Sequence, residues 1–130
     1  MKQLIIRDES IAGKLLNEIV VAVEEETMTT EALIRARVIQ EVEKYNHAGS
    51  AYFQGLVQPS QTEQTLNGYK LKKERSIDAE QQCYIALDAF QKNGFFILVD
   101  DHQLENLNEE FLVMEDTKVS FIKLNPLVGG

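Results

Sequence analysis

Two short segments near the N-terminus, both rich in β-branched and other apolar residues, predict a β-hairpin. The first strand covers residues 2–7 and is centred on Leu4, Ile5 and Ile6. The second covers residues 15–23 and contains an almost continuous apolar run. Typical turn residues separate the two segments: Asp8, Glu9, Ser10 and Gly13. Because the strands are so close in sequence, we expect them to pair with each other.

A helical pattern follows the acidic triplet at residues 24–26, which we interpret as a solvated loop. Thr29 or Thr30 provides the N-cap, and the helix is expected to end near Asn46. Its apolar side chains recur at helical spacing: Ile34, Val38, Val42 and Tyr45. Such a stripe is typical of a helix face that packs on a core rather than of a ligand site.

A second helix is predicted from a capping pattern, Asp78 with Gln81 three residues later, and is closed by Gly94. Its apolar face includes Cys83. The two interpretations of Cys83 are a small buried hydrophobe and a nucleophile, and the first is favoured because no base is placed beside it in the sequence.

The segment between the helices contains the densest basic group of the chain. With a neighbouring tyrosine it forms a candidate partner patch: Tyr69, Lys70, Lys72, Lys73 and Arg75. The alternative, a solvated strand or loop face, is favoured. Phosphate binding is disfavoured because the glycines expected at a helix start are absent there. Asn67-Gly68 predicts a turn just before this group.

Residues 95–99 predict a strongly apolar strand that ends at Asp100, Asp101 and His102. This triplet is the nearest approach to an acidic cluster, and it could bind a divalent cation or perform acid–base chemistry. Neighbouring residues on a strand point to opposite faces, so at most two of the three would converge. A polar strand exit is the favoured interpretation. The chain contains no glycine-rich nucleotide loop, zinc spacing or nucleophile elbow.

Composition places the chain among soluble globular proteins. It has 130 residues, which suit a single domain over residues 1–130, and strands mixed with helices outside βαβ alternation predict an α+β fold. The net charge of −8 argues against a nucleic-acid partner. A single cysteine fits a reducing compartment, and no apolar run is long enough to cross a membrane, so we expect a cytoplasmic protein without a membrane partner.

The C-terminus carries the strongest functional signal. A final strand with Val119, Phe121 and Ile122 is followed by Asn125, which Pro126 holds in an extended conformation. The last residues, Leu127, Val128, Gly129 and Gly130, form a tail over residues 126–130 that ends without bulky side chains. Such a tail can enter a narrow slot and bring its carboxylate to a reactive phosphate, because no Cβ obstructs the approach. The alternative is an ordinary frayed terminus.

The N-terminal hairpin, the helix that follows it and the ending Pro126-Leu-Val-Gly-Gly130 together resemble the ubiquitin-like β-grasp proteins. They are most similar to the bacterial sulfur carriers, namely the small subunit of molybdopterin synthase and the thiamine-pathway carrier, and to a eukaryotic relative that also modifies proteins. The resemblance covers residues 1–47 and 95–130. It implies a mixed sheet of four to five strands on one main helix, with residues 95–101, 104–107 and 119–124 as the third, fourth and fifth strands.

The resemblance also implies a function. A partner adenylating enzyme would activate the Gly130 carboxylate with its own ATP and Mg²⁺, and the acyl group would then accept sulfur or be joined to a conjugation target. Gly129 would be needed for clearance, and Leu127 and Val128 would occupy the partner's slot together with Pro126. The chain itself would hold no cofactor and would not be an enzyme.

Two departures qualify the resemblance. Residues 48–94 are an insertion with a second helix, and Asn125-Pro126-Leu127 stands where the molybdopterin subunit tends to have two prolines. The alternative is a non-catalytic β-grasp interaction or regulatory module that makes no use of the terminal carboxylate. A third hypothesis is an enzyme that uses Asp100, Asp101 and His102.

Overall fold

The computed structural model describes residues 1–48, 52–71 and 75–124, and within these ranges the chain forms strands that pair in three sheets together with two α-helices. The strands are β1 (Lys2–Ser10), β2 (Leu15–Val23), β3 (Thr27–Thr29), β4 (Tyr52–Phe53), β5 (Thr62–Thr65), β6 (Gly68–Leu71), β7 (Phe95–Val99), β8 (His102–Leu104), β9 (Glu110–Leu112) and β10 (Lys118–Lys123). The helices are α1 (Thr30–Ala48) and α2 (Ala79–Gln91). The predicted α+β class is therefore confirmed.

The largest sheet has five strands in the order β2-β1-β10-β7-β8. β1 and β2 form the predicted antiparallel hairpin, and β7 and β8 form another. β10 lies in the middle of the sheet, parallel to β1 and antiparallel to β7. The strands nearest the two ends of the chain are thus direct neighbours.

β1 is longer than the sequence pattern indicated. It continues to Ser10, so the assignment of Asp8, Glu9 and Ser10 to a turn was wrong. Alternation along the strand places Asp8 on the same buried face as Leu4 and Ile6, where a buried arginine compensates its charge. The turn follows Ser10 instead, and Gly13 adopts a φ of 87° in it.

Helix α1 contributes the centre of the core. The Thr29 hydroxyl accepts a hydrogen bond from the backbone amide of Ala32 at 3.1 Å, which confirms the predicted N-cap. The predicted apolar stripe of α1 is buried, and it joins inward-facing side chains of the large sheet such as Ile97 and Phe121 in one hydrophobic core. Neither α1 nor any other helix of the described residues has the length and apolar character required to cross a membrane.

The insertion builds a small sheet of its own in the order β4-β6-β5. The predicted turn at Asn67-Gly68 joins β5 to β6, and Gly68 has a φ of 122°. The polar residues 59–64 predict a loop, but this prediction is wrong from Thr62 onward, because Thr62–Thr65 pair with β6 in a hairpin. Helix α2 forms as predicted, with the Asp78 carboxylate accepting hydrogen bonds from two amides of its first turn.

β3 and β9 form a two-stranded sheet at the N-terminal end of α1. Thr30 and Glu31 at the start of the helix donate backbone hydrogen bonds to the carbonyls of Glu109 and Leu107, both at 2.9 Å. Neither strand was predicted, because three residues carry too little periodicity and their partners lie far away in sequence. The predicted fourth strand at residues 104–107 was misplaced, since β8 occupies His102–Leu104.

Candidate functional site at the base of the C-terminal tail

The predicted tail residues, Pro126, Leu127, Val128, Gly129 and Gly130, lie outside the described part of the chain, as does Asn125. The structure does describe the strand that leads to them. β10 ends at Lys123 in the middle of the five-stranded sheet, beside the end of β1, where Ser10 is the register partner of Lys123. This end of β10 is the base of the tail.

A buried arginine lies directly beneath the base of the tail. Arg37 of α1 is fully buried, and its guanidinium donates to both carboxylate oxygens of Asp8, at 2.5 and 2.6 Å. The guanidinium carbon also lies 4.7 Å from the centre of the Phe121 ring of β10. Arg37 therefore ties the helix to the two neighbouring strands β1 and β10.

A second carboxylate, Glu41, lies one helical turn after Arg37 on α1 and receives a hydrogen bond from Arg37 Nε at 3.2 Å. Its other oxygen accepts the backbone amide of Leu56, in the insertion, at 3.1 Å. Burial raises the pKa of Glu41, while Arg37 and the Leu56 amide act in the opposite direction. Glu41 thus connects the insertion to Arg37 and, through it, to Asp8.

Lys123, the last residue of β10, completes the cluster. Its ammonium nitrogen is 3.8 Å from Asp8 Oδ2, and its side chain is 25% exposed. Burial lowers the pKa of Lys123, and Asp8 opposes that shift. We call these four residues the buried ionic cluster: Asp8, Arg37, Glu41 and Lys123.

The charges of the buried ionic cluster balance, with two carboxylates facing two cations. Removing charges from water costs several kcal/mol per ion, so the cluster is tolerated only because each charge has a close partner. It contains no cysteine, serine or histidine, and within the described ranges no group of three or more His, Cys, Asp and Glu side chains could hold a metal ion. The cluster therefore joins α1 to the neighbouring strands β1 and β10.

Sequence reasoning missed this cluster, although a signal was present. Arg37 and Glu41 fall within the helical stripe defined by Ile34, Val38 and Val42, so their charges occupy core positions. Asp8 continues the inward alternation of β1. Charged residues at core-facing positions of both a helix and a strand indicate a buried ion pair, because such residues are almost never fully buried unless they are paired.

The acidic triplet does not form a site. Asp100 and Asp101 occupy the turn between β7 and β8 with φ values of 48° and 71°. Asp100 accepts the backbone amide of Lys118 at 2.9 Å, which braces the turn against β10. His102 points elsewhere and contacts Glu109 at 2.7 Å. Asp100 and His102 thus have separate partners, as expected of a polar strand exit.

The structure spreads the described members of the candidate partner patch apart. Tyr69 and Lys70 are consecutive on β6 and point to opposite faces, and Tyr69 is half-buried against the core while Lys70 is exposed. Arg75 donates to the carbonyl of Ser60. Lys72 and Lys73 lie outside the described residues.

Cys83 is fully buried on α2, as predicted. Burial raises the pKa of its thiol, with the Arg35 charge acting in the opposite direction. A buried thiol with a raised pKa is a poor nucleophile. The favoured interpretation of Cys83 as a buried hydrophobe is therefore consistent with its surroundings.

These features define an α+β protein whose last described strand is central in a mixed sheet and is braced from below by a buried ionic cluster. Comparison with protein-family models, with curated proteins and with solved structures yields no match for this chain.

Proposed function

We propose that the chain is a ubiquitin-like β-grasp carrier or protein modifier that works through the carboxylate of Gly130. One observation carries the proposal: β10 occupies the centre of the sheet, parallel to β1, and its sequence continues within a few residues into Gly129-Gly130. The β-grasp likeness rests on the same strand order, in which an N-terminal hairpin, a helix, a second hairpin and a central last strand follow one another.

The proposed chemistry takes place in a partner enzyme of the sulfur-carrier-activating type. A carboxylate oxygen of Gly130 attacks the α-phosphorus of ATP, the bond to the β-phosphate breaks, and pyrophosphate leaves. The resulting acyl-adenylate then loses AMP to a sulfur nucleophile or to a thiol or amine of a conjugation pathway. ATP and Mg²⁺ belong to the partner, so the chain is the substrate and not the catalyst.

The buried ionic cluster supports this proposal through rigidity. A tail that enters a narrow slot is most useful when its origin is fixed relative to the surface that the partner grips. Lys123 ends β10 within 3.8 Å of Asp8, and Arg37 holds Asp8 from the helix side. Substitutions in the cluster would therefore be expected to weaken activation without touching the carboxylate.

The insertion is compatible with the same function. It leaves the order of the five-stranded sheet intact and packs on α1, where the backbone amide of Ile77 donates to Asn46 Oδ1 at 2.9 Å. The insertion also supports the second candidate, a non-catalytic interaction module. Leu66 at the tip of its hairpin is 90% exposed, so it is available for a partner contact.

The test is reconstitution of the full chain with bacterial adenylating enzymes that serve sulfur carriers, together with ATP, Mg²⁺ and a sulfur donor. We expect pyrophosphate exchange that depends on the chain, and an intact mass in which one oxygen has been replaced by sulfur or a protein has been added. Deletion of Gly130 and the substitution Gly129→Val should abolish both signals, whereas the matched surface variant Leu66→Ala should retain them.

Covalent derivatives that persist without Gly130 would refute the proposal. A complex that survives loss of both glycines but is lost in Leu66→Ala or Tyr69→Ala would favour the interaction module instead.

A further inference from the structure

Strand β2 forms one edge of the five-stranded sheet and pairs, among the described residues, only with β1. It is nine residues long and contains no proline or lysine. Leu15, Leu16 and Val20 on this strand are 47%, 50% and 43% exposed. Natural proteins usually protect such an edge with charges, prolines or a covering element, because its free amides and carbonyls can pair with another strand.

A groove runs beside β2. It has a volume of about 590 Å³ and is lined by Ile19 and Val20 of β2, Gln40 and Lys44 of α1, and Gln54 of the insertion. Gln40 donates to the backbone carbonyl of Val20 at 2.6 Å. Gln40 therefore covers this acceptor of the edge, and an amide of an added strand would have to replace the Gln40 side chain there.

From this geometry, we propose that the groove between β2 and α1 binds one extended peptide segment of a partner protein, which adds to the sheet as a strand antiparallel to β2. Neighbouring strands lie about 4.8 Å apart. Every second side chain of an added strand would then enter the groove, and the others would lie beside Leu16 and Val20. The net charge of −8 disfavours a second copy of this chain in the same place, because like charges repel.

The charges around β2 specify the peptide further. The exposed residues Glu24, Glu25 and Glu26 directly follow its C-terminal end, and the chain as a whole carries a net charge of −8. An antiparallel peptide would begin at that end. The fitting segment therefore has lysine or arginine residues at its N-terminal end, followed by apolar residues at alternate positions.

This inference is independent of the proposed carrier function, since it involves neither the tail nor an activating enzyme. The probe is a fluorescent synthetic peptide in which lysines precede alternating valine and threonine, titrated into the full chain and followed by anisotropy. The comparison peptides have glutamates in place of the lysines or proline in place of alternate threonines.

We expect saturable binding of the lysine peptide, which weakens as salt is added. The glutamate peptide should bind about threefold to tenfold more weakly, because several exposed charge pairs are reversed. The proline peptide should not bind, since it lacks the amides that pair with β2. Amide signals of Glu18, Val20 and Ala22 should shift in ¹⁵N spectra on addition of the lysine peptide.

Val20→Lys tests the location of the site. It places a cation beside the alternating apolar part of the added strand, at a position that is already 43% exposed, and it should weaken binding by about tenfold. The matched control Leu112→Lys makes the same chemical change at a 64% exposed residue of β9 and should bind like the unmodified chain.

Three results would overturn the proposal. The first is the absence of saturable binding by a folded chain, and the second is equal binding to the lysine and glutamate peptides. The third is a dimer of the chain alone that Val20→Lys dissociates, because the edge of β2 would then belong to a second copy.

Discussion

Replacement of Arg37 by methionine removes the central cation of the buried ionic cluster while preserving much of the side-chain volume. In the native chain the guanidinium satisfies both oxygens of Asp8 and one of Glu41. Both carboxylates are buried, at 1% and 7% exposure. Without Arg37 they would remain in the core with only Lys123 and the Leu56 amide as partners.

Removal of one partner from a buried ion pair costs ~3–5 kcal/mol, because a charge is left buried without compensation. A domain of this size has a total stability of about 5–15 kcal/mol, so the variant should lose a large part of it. The loss should be smaller at acidic pH, since Glu41, whose pKa is raised by burial, can then take up a proton and become neutral.

Urea denaturation followed by far-ultraviolet circular dichroism measures this difference, and it suits a chain without tryptophan. The matched control is Arg35→Met on the same helix. Arg35 pairs with Glu31 and Glu80, each at 3.0 Å, but its side chain is 35% exposed. Exposed pairs contribute about 0–1 kcal/mol, so the control should unfold near the native midpoint.

Equal losses of less than about 1 kcal/mol in the two variants would refute this reasoning, because a buried pair would then behave like a surface pair. A variant in which Asp8, Arg37 and Glu41 are all replaced by apolar residues of similar volume should recover stability relative to Arg37→Met. Such recovery would show that uncompensated charge, and not the missing side-chain volume, causes the loss.

Three further predictions concern single residues. Burial raises the pKa of Glu41, so the folded chain binds a proton at Glu41 more tightly than the unfolded chain does, and stability should fall as the pH rises above the ordinary value of 4.5. Glu41→Gln should flatten this fall in urea midpoints measured from pH 5 to 7, and an unchanged slope would contradict the prediction. Cys83 should react with a disulfide reagent only slowly at neutral pH and quickly in urea, because its thiol is fully buried and has a raised pKa. Equal rates with and without urea would show that Cys83 is not buried in the folded chain. Asp78→Ala should lower the free energy of unfolding, measured by thermal denaturation, by about 1 kcal/mol, because it removes the N-cap of α2. The control Asp88→Ala, in the exposed last turn of α2, should change the free energy of unfolding little, and equal shifts in the two variants would argue against the cap.

The sequence by itself determined the elements that local chemistry specifies. The β1–β2 hairpin, α1 with its cap at Thr29, and α2 with its cap at Asp78 were all predictable, since the apolar period and the capping residues lie within each segment. The burial of Cys83 followed from the same periodicity. The diglycine ending is likewise a property of sequence alone, and the function proposed for it is a hypothesis that started there.

Tertiary structure decided the features that depend on residues far apart in the chain. The place of β10 between β1 and β7, and the pairing of β3 with β9, join segments that share no local signal. The same holds for the buried ionic cluster. In the sequence alone, Asp8 resembles a turn residue. In the folded chain it is buried, because Arg37 Nη1 lies 2.5 Å from its Oδ1 atom and compensates its charge. That partner comes from another element, so the sequence around Asp8 gives no sign of it.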